Sequence, residues 1–293
     1  MKVLVTGATG FVGRGIIPAL LDAGHSVRAL ARGVRDGTLP GEVDVVRGSV
    51  ADRAQVRVVA EGMDACVHLV AVIVPRAEQT FENVNVLGTQ NLVSACAEAG
   101  VRRFVHLSAL GAAPDDRFPY LRSKWQGEEA VRGSSMDWTV LRPSALFGPE
   151  AGFFRPIVWT LRWMPVYPLP KGGRTRFQPL AVEDLAACVV RALDGACMGE
   201  SVDLGGPDVM DFRAIVEVVM EALGRRRRLV SIPLFAARPF AFMQGLRREP
   251  LVTNQQLDMV VLDNTCDLDS AARAFGVTPR RMRETDLRWL ARL

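Results

Sequence analysis

The chain is short of several things. Of its 293 residues, two are tyrosine (Tyr120 and Tyr167) and three are lysine (Lys2, Lys124 and Lys171). Five cysteines, Cys66, Cys96, Cys188, Cys197 and Cys266, are odd in number and scattered without metal-ligand spacing. That pattern argues against a disulfide framework or a thiolate metal centre and reads as reduced, mostly buried thiols in a cytosolic setting. No apolar run reaches the roughly eighteen residues that a spanning helix needs. The most apolar stretch, "FFRPIVWTLRWMPVYPLP", is broken by Arg155, Arg162 and several prolines. It suits the lining of a greasy pocket or a place on a membrane surface. Excess charge is scarce too: the net charge is +4, nearly all the positive charge is arginine, and no nucleic-acid partner is expected. The run Arg225 to Arg228 reads first as a solvated helix end just past Gly224, with a patch for an acidic partner as the alternative. Met1 leads directly into "KVLVTGATG", so no signal peptide is expected.

What is present is an ordinary globular composition, 49% hydrophobic and 23% charged. Short β-branched runs alternate with helical patterns. "KVLVT" precedes "FVGRGIIPALLDAG"; "SVRALA" and "EVDVVRG" lead to "ADRAQVRVVAEG"; "DACVHLVA" precedes "FENVNVLGTQNLVSACAEAG"; and "RFVHLS" leads to "YLRSKWQGEEAVRG" and "DWTVLRPS". This order predicts a Rossmann-type α/β fold, a doubly wound parallel sheet, over residues 1–148. The rhythm breaks after "LRPSALFGPE". Residues 149–293 are expected to form a smaller, mainly helical lobe for a substrate or partner, with the chain returning to the first domain near 179–204. Asp211 is expected to cap one helix, and Thr278 and Pro279 to open the last.

Gly7, Gly10 and Gly13 fall between the first predicted strand and its helix. Glycines there permit a sharp turn and a close backbone approach to a pyrophosphate, which the helix N-terminus then attracts. The second strand ends at Ala31, without the acid that would hold a ribose 2′-hydroxyl. Arg32 follows, with Arg35 near, so NADP(H) is the expected cofactor and NAD(H) the alternative. Ser108 ends the fifth predicted strand, at the sheet edge that binds ligands. Tyr120 and Lys124 are one helical turn apart on one face. A phenol of pKa about 10 needs about 4 kcal/mol of preferential phenolate stabilisation to act near neutrality. A lysine ammonium and an oxidised nicotinamide could supply it.

The loop "TGATGFVG", with Ser108, Tyr120 and Lys124, resembles the short-chain dehydrogenase/reductase superfamily. "NVLGTQNL", "LRPSALFG" and "GGPDVMDFRAIV" narrow the resemblance to its extended, epimerase/dehydratase-like branch. The combined pattern is most similar to an atypical subgroup that includes the NADPH-binding accessory subunit of respiratory complex I. The resemblance implies that Gly7, Thr9, Gly10, Phe11, Val12 and Gly13 hold the pyrophosphate. It implies that Ser49 and Val50 flank adenine, and that Val70, Ala71 and Val72 flank the nicotinamide ribose. Lys124 would bond the ribose hydroxyls, and Pro143 and Ser144 would line the nicotinamide. Relatives usually carry Asp where this chain has Ser49, and those of the complex I type tend to continue "GPED" where this chain reads "GPEA" at Ala151. Two functions follow from different classes. One is an oxidoreductase in which Ser108, Tyr120 and Lys124 act on an alcohol or ketone of an apolar small molecule, with sugar-nucleotide epimerisation as a variant on the same machinery. The other is a non-catalytic NADPH-binding subunit or assembly factor, associated with a respiratory complex or membrane surface. A redox-sensing regulator is a third. The expected location is cytoplasmic, at the periphery of the inner membrane in the accessory reading, and no metal is expected.

Overall fold

The computed structural model describes residues 1–33, 38–245, 247 and 250–293. In chain order the elements are β1 (Lys2–Thr6), α1 (Phe11–Asp22), β2 (Ser26–Ala31), β3 (Asp44–Arg47), α2 (Arg53–Ala60), β4 (Ala65–His68), α3 (Leu87–Glu98), β5 (Arg103–Leu107), α4 (Pro119–Arg132) and β6 (Asp137–Pro143). They continue as β7 (Leu146–Phe147), α5 (Arg155–Trp163), β8 (Val166–Pro170), β9 (Arg176–Phe177), β10 (Leu180–Ala181), α6 (Val182–Leu193), β11 (Glu200–Leu204), β12 (Met210–Asp211), α7 (Phe212–Ala222), β13 (Arg228–Ile232), α8 (Leu234–Gly245), α9 (Asn254–Met259) and α10 (Ser270–Phe275).

The chain forms two compact units. The first comprises Met1–Pro143, Val182–Leu204 and Asp269–Thr278. Its seven-stranded sheet runs β11-β6-β5-β4-β1-β2-β3, and every pairing is parallel. Helices cover both faces of such a sheet, so its strands are apolar throughout rather than alternating. Val3, Leu4 and Val5 of β1 and Ala65, Cys66 and Val67 of β4 are fully buried. The order reverses between β1 and β4, where open α/β sheets bind ligands beyond the strand ends. Gly24 and Gly100, both at positive φ, end α1 and α3 as left-handed residues past the last turn.

One local departure matters for function. The segment Phe81–Val86 was expected to be the start of a single long helix; it is a π-helical turn, and regular α3 begins only at Leu87. Such widened turns re-aim side chains.

The second unit comprises Ser144–Ala181, Gly205–Leu268 and Pro279–Leu293. Three two-stranded pairs, β10 with β7, β12 with β9 and β13 with β8, stand beside its helices. Phe153 packs its ring against Phe154, Phe177 and Phe212, and Leu161 and Leu169 are fully buried. Much of the "FFRPIVWTLRWMPVYPLP" stretch is therefore core of this unit. Asp211 caps α7, accepting the Ala214 N–H at 2.7 Å. The expected C-terminal helix is absent: no helix opens at Thr278, and Met282–Glu284 and Arg288–Arg292 are short 3-10 turns. Its side chains are drawn to tertiary anchors instead. Arg281 pairs with Asp208 at 2.7 Å, Trp289 meets Phe154 edge-on, and Asp286 bends back to accept the Arg288 N–H at 2.9 Å. Local Asp-to-backbone bonds of this kind compete with a helix.

Candidate functional site

The glycine loop sits at the reversal point of the first unit's sheet. Gly7 has φ +78, and a Cβ there would fall 3.0 Å from the Leu69 carbonyl carbon and the Val70 nitrogen. A Cβ on Gly13 would lie 2.4 Å from the Gly7 oxygen. The Gly10 N–H closes the turn on that same oxygen at 3.0 Å. Gly10 is also the N-cap of α1, with no capping side chain and no acid in the first turn. The leading N–H groups at Phe11, Val12 and Gly13 thus keep their capacity for an anion, and the half-buried Thr9 stands beside them. This backbone cradle fits a nucleotide pyrophosphate.

The remaining cofactor candidates differ in exposure. Arg32 follows β2 and is exposed, with no ion pair among the described residues; Arg35 lies outside those residues. The neighbouring Arg28 is already paired with Asp44 at 2.8 Å. Ser49 donates its N–H to Gln55 Oε1 at 2.9 Å. Val50 is buried and packs so closely on α3 that a Cβ at Gly88 would fall 2.8 Å from it. Val70 and Val72 are half-buried and Ala71 is exposed just beyond β4. Pro143 closes β6 and accepts the Leu110 N–H at 3.1 Å. Ser144 belongs to the second unit, where its hydroxyl lies 2.7 Å from Asn264 Oδ1 and accepts the Gln178 N–H at 3.2 Å. That hydroxyl is taken up within its own unit.

Around β5 and α4 the geometry tightens. Lys124, 2% exposed, donates its ammonium to the Leu107 carbonyl at 2.7 Å. The next residue is Ser108, 5% exposed, whose hydroxyl has no hydrogen-bond partner among the described residues. A buried hydroxyl without a partner costs free energy, so Ser108 is a candidate place for a ligand group. Tyr120 is half-buried at the start of α4, its ring 6.1 Å from that of Phe81. Desolvation dominates the titration of both groups. It pushes the Tyr120 phenol up to about 12 and the Lys124 ammonium down to about 8, with the Glu128 carboxylate resisting the second shift. The chain by itself therefore keeps the phenol protonated; the expected depression calls on an oxidised nicotinamide as well as on Lys124.

What holds α4 in place is largely polar. Glu128, fully buried, accepts from Arg132 and Arg142, each at 2.6 Å, and ties the helix to β6. At the other end, Asn85 on the π-helical turn clasps the Val72 backbone from both sides. Its Oδ1 accepts the Val72 N–H at 2.7 Å and its Nδ2 donates to the Val72 carbonyl at 3.0 Å. The same Nδ2 reaches Ser123 Oγ at 2.9 Å, and that hydroxyl donates to the Tyr120 carbonyl at 2.7 Å. Asn85 thereby couples the loop after β4 to the helix that carries Tyr120 and Lys124. Thr89 donates to the Asn85 carbonyl, and its oxygen lies 3.0 Å from His68 Nε2, while His68 Nδ1 lies 2.6 Å from Thr6 Oγ1. The His106 ring is 5.2 Å from that of His68, with neither nitrogen partnered among the described residues. Burial, then the Lys124 charge, keeps both imidazoles neutral, His68 down to about 3. Sequence reading passed over Asn85, Thr89 and His68 as functional residues. The available signal was Asn85 and Thr89 one turn apart inside an apolar helix, and a histidine ending a wholly apolar strand.

Comparison with known proteins agrees with this geometry. A family model described as NAD(P)H-binding matches residues 7–194. The Arabidopsis thaliana mitochondrial NADH dehydrogenase [ubiquinone] 1 alpha subcomplex subunit 9 is 31% identical over 248 residues, 81% of this chain; the chain spans 61% of that protein's length. The ceramide reductase of Caulobacter vibrioides is 30% identical over 237 residues, covering 79% of this chain and 73% of the reductase. Among solved structures, MoeE5 in complex with UDP-glucuronic acid and NAD superposes with a TM-score of 0.77 at 24% identity, over 100% of this chain and 99% of MoeE5, a likeness of fold. The glycine cradle, the parallel sheet and these relatives lead to one conclusion: the chain belongs to the NAD(P)H-binding family.

Proposed function

We propose that the chain is an NADP(H)-dependent oxidoreductase that reduces a ketone of an apolar substrate at Ser108, Tyr120 and Lys124. The observation that carries this reading is the buried, unpartnered Ser108 hydroxyl beside the carbonyl that Lys124 holds. A substrate carbonyl oxygen would complete it. The bound nicotinamide supplies or accepts the hydride. Ser108 Oγ donates a hydrogen bond to the substrate oxygen, and Tyr120 gives that oxygen its proton as the carbonyl carbon is reduced. A phenol raised to about 12 is in its acid form at neutral pH, the form that can give a proton to the substrate oxygen. Lys124, charged below about 8, offsets the negative charge left on Tyr120. Exposed Arg32 beyond an acid-free β2 favours the 2′-phosphate of NADP(H) over NAD(H). The relative that reduces ceramide supports an apolar substrate.

The test is NADPH consumption with a panel of long-chain ketones, beside the rate of NADPH release under a chase of NADP⁺. Turnover with release in seconds is expected. Tyr120→Phe should lower kcat by on the order of 10²–10⁴-fold with NADPH affinity kept. Wild-type turnover in that variant would sink the reading. A second reading, a non-catalytic NADPH-binding accessory protein of a respiratory complex, is favoured by the likeness to the Arabidopsis complex subunit. NADPH held for hours, without turnover of any ketone, would select it.

A further inference from the structure

Helix α8 of the second unit is built inside out. Its buried positions are Ala241 and Gln244, whereas Phe235, Phe242 and Met243 are 74%, 64% and 61% exposed. Phe235 and Phe242 are seven residues apart and so share a face. A helix that shows large apolar side chains and hides a glutamine lacks the partner of its outer face. Neighbouring elements extend the apolar character. The Trp159 ring of α5 lies 6.3 Å from that of Phe240, and Trp163, one turn on, is 73% exposed. Val166 of β8 and Val230 of β13, the strand that leads into α8, are exposed as well.

Cations stand at both ends of the β8–β13 pair, where the register sets Arg228 against Val166 and Ile232 against Pro170. At one end Arg225, Arg226 and Arg228 are exposed, with no carboxylate partner among the described residues. At the other, Lys171, Arg174 and Arg213 line a cavity of about 550 Å³ together with Asp211 and Ser231. The only acid there, Asp211, is engaged in capping α7. Lys171 and Arg174 pair with no carboxylate among the described residues, and the nearest for Arg213 is Glu217 at 3.9 Å.

Apolar groups flanked by cations, most of them without a carboxylate among the described residues, restrict the occupant. A two-fold contact with a second copy through this face would bring like charges together. An anionic lipid surface takes both features at once, acyl boundary for the aromatics and headgroup phosphates for the cations. We propose that α8 docks the second unit onto an anionic membrane surface, with Phe235, Phe242 and Trp163 entering the acyl boundary and the flanking arginines and Lys171 meeting phosphates. This rests on α8 and its neighbours alone, independently of the redox reading.

The test is sedimentation of the full chain with vesicles of phosphatidylcholine alone, or of phosphatidylcholine with phosphatidylglycerol. Binding to the anionic vesicles only, weakened by salt, is expected. The exposed double variant Phe235→Ser/Phe242→Ser should keep wild-type thermal unfolding and NADPH binding, yet lose membrane affinity by at least about tenfold. Arg226→Ser/Arg228→Ser should lose affinity on anionic vesicles in the same way. Failure of the wild type to sediment with anionic vesicles overturns the proposal, as does undiminished binding by the aromatic variant. A wild-type dimer by light scattering that becomes monomeric in that variant also overturns it, in favour of a second copy. NADPH binding is read on the same samples, so its loss would count against the cofactor assignment and not against the lipid face.

Discussion

The two units treat polarity in opposite ways. The first takes polar and charged groups inside: His68, His106 and Glu128 are fully buried, and Lys124, Asn85 and Ser108 nearly so. The second leaves large apolar groups outside, on α8 and at Trp163. Each choice costs stability unless something repays it, since buried polar groups want partners and exposed aromatics want burial. In the first unit most of the partners are in the chain itself; of these six groups Ser108 and His106 are the exceptions, and Ser108 follows β5 at the ligand edge of the sheet. The lesson is that departures from the usual sorting are local, and at Ser108 and on α8 a ligand or a surface could complete them.

The largest effect should come from breaking the backbone cradle of the first unit. A side chain at Gly13 meets the Gly7 oxygen and the Ala8 backbone at 2.4–2.6 Å, atoms that cannot rotate away. Gly13→Val should abolish NADPH binding, read by fluorescence titration, and lower the unfolding temperature; binding at wild-type strength would remove the cradle from the account.

A middle-sized effect tests whether the polar interior is really desolvated. Burial lowers Lys124 to about 8 from 10.5. Between those values the unfolded chain still holds a proton that the folded chain has released, so this group's contribution to stability rises with pH. Below about 8 the whole penalty stands. In urea titrations the stability of the wild type relative to Lys124→Met should therefore improve by up to about 3 kcal/mol from pH 8 to 10.5. A flat difference would mean that water reaches the ammonium.

The smallest effect concerns an exposed cation of the same unit. Arg32 has no partner among the described residues, so its value should appear only toward the cofactor. Arg32→Asp should weaken NADPH by about tenfold and improve NADH, while stability stays within about 0.5 kcal/mol of wild type. Equal affinities for both cofactors in the wild type would instead assign Arg32 to the solvent.

Much of the first unit is legible in the sequence, because parallel strands buried on both faces read as continuous apolar runs and glycines punctuate them. The loop Gly7–Gly13 could be read because its requirement is steric and local: positions where no Cβ fits. The clasp of Asn85 on Val72 could not, since it depends on a π-helical turn that no periodicity announces. Nor could the titration of Tyr120, because desolvation is a property of what packs around the phenol. In the second unit, "TPRRMRETDLRWLARL" carries sound helix signals at Thr278 and Pro279, yet ion pairs to Asp208 and Glu221 and the Asp286 turn hold it in 3-10 turns.

By itself the sequence determined the order of strands and helices, the dinucleotide loop, and the three residues Ser108, Tyr120 and Lys124 within one stretch of chain, all features set by local sterics and by apolar period. Only the tertiary structure decided which polar groups are buried and unpartnered, which apolar ones are left outside, and where the protons sit. Burial and desolvation are sums over neighbours distant in sequence, and no local pattern carries them.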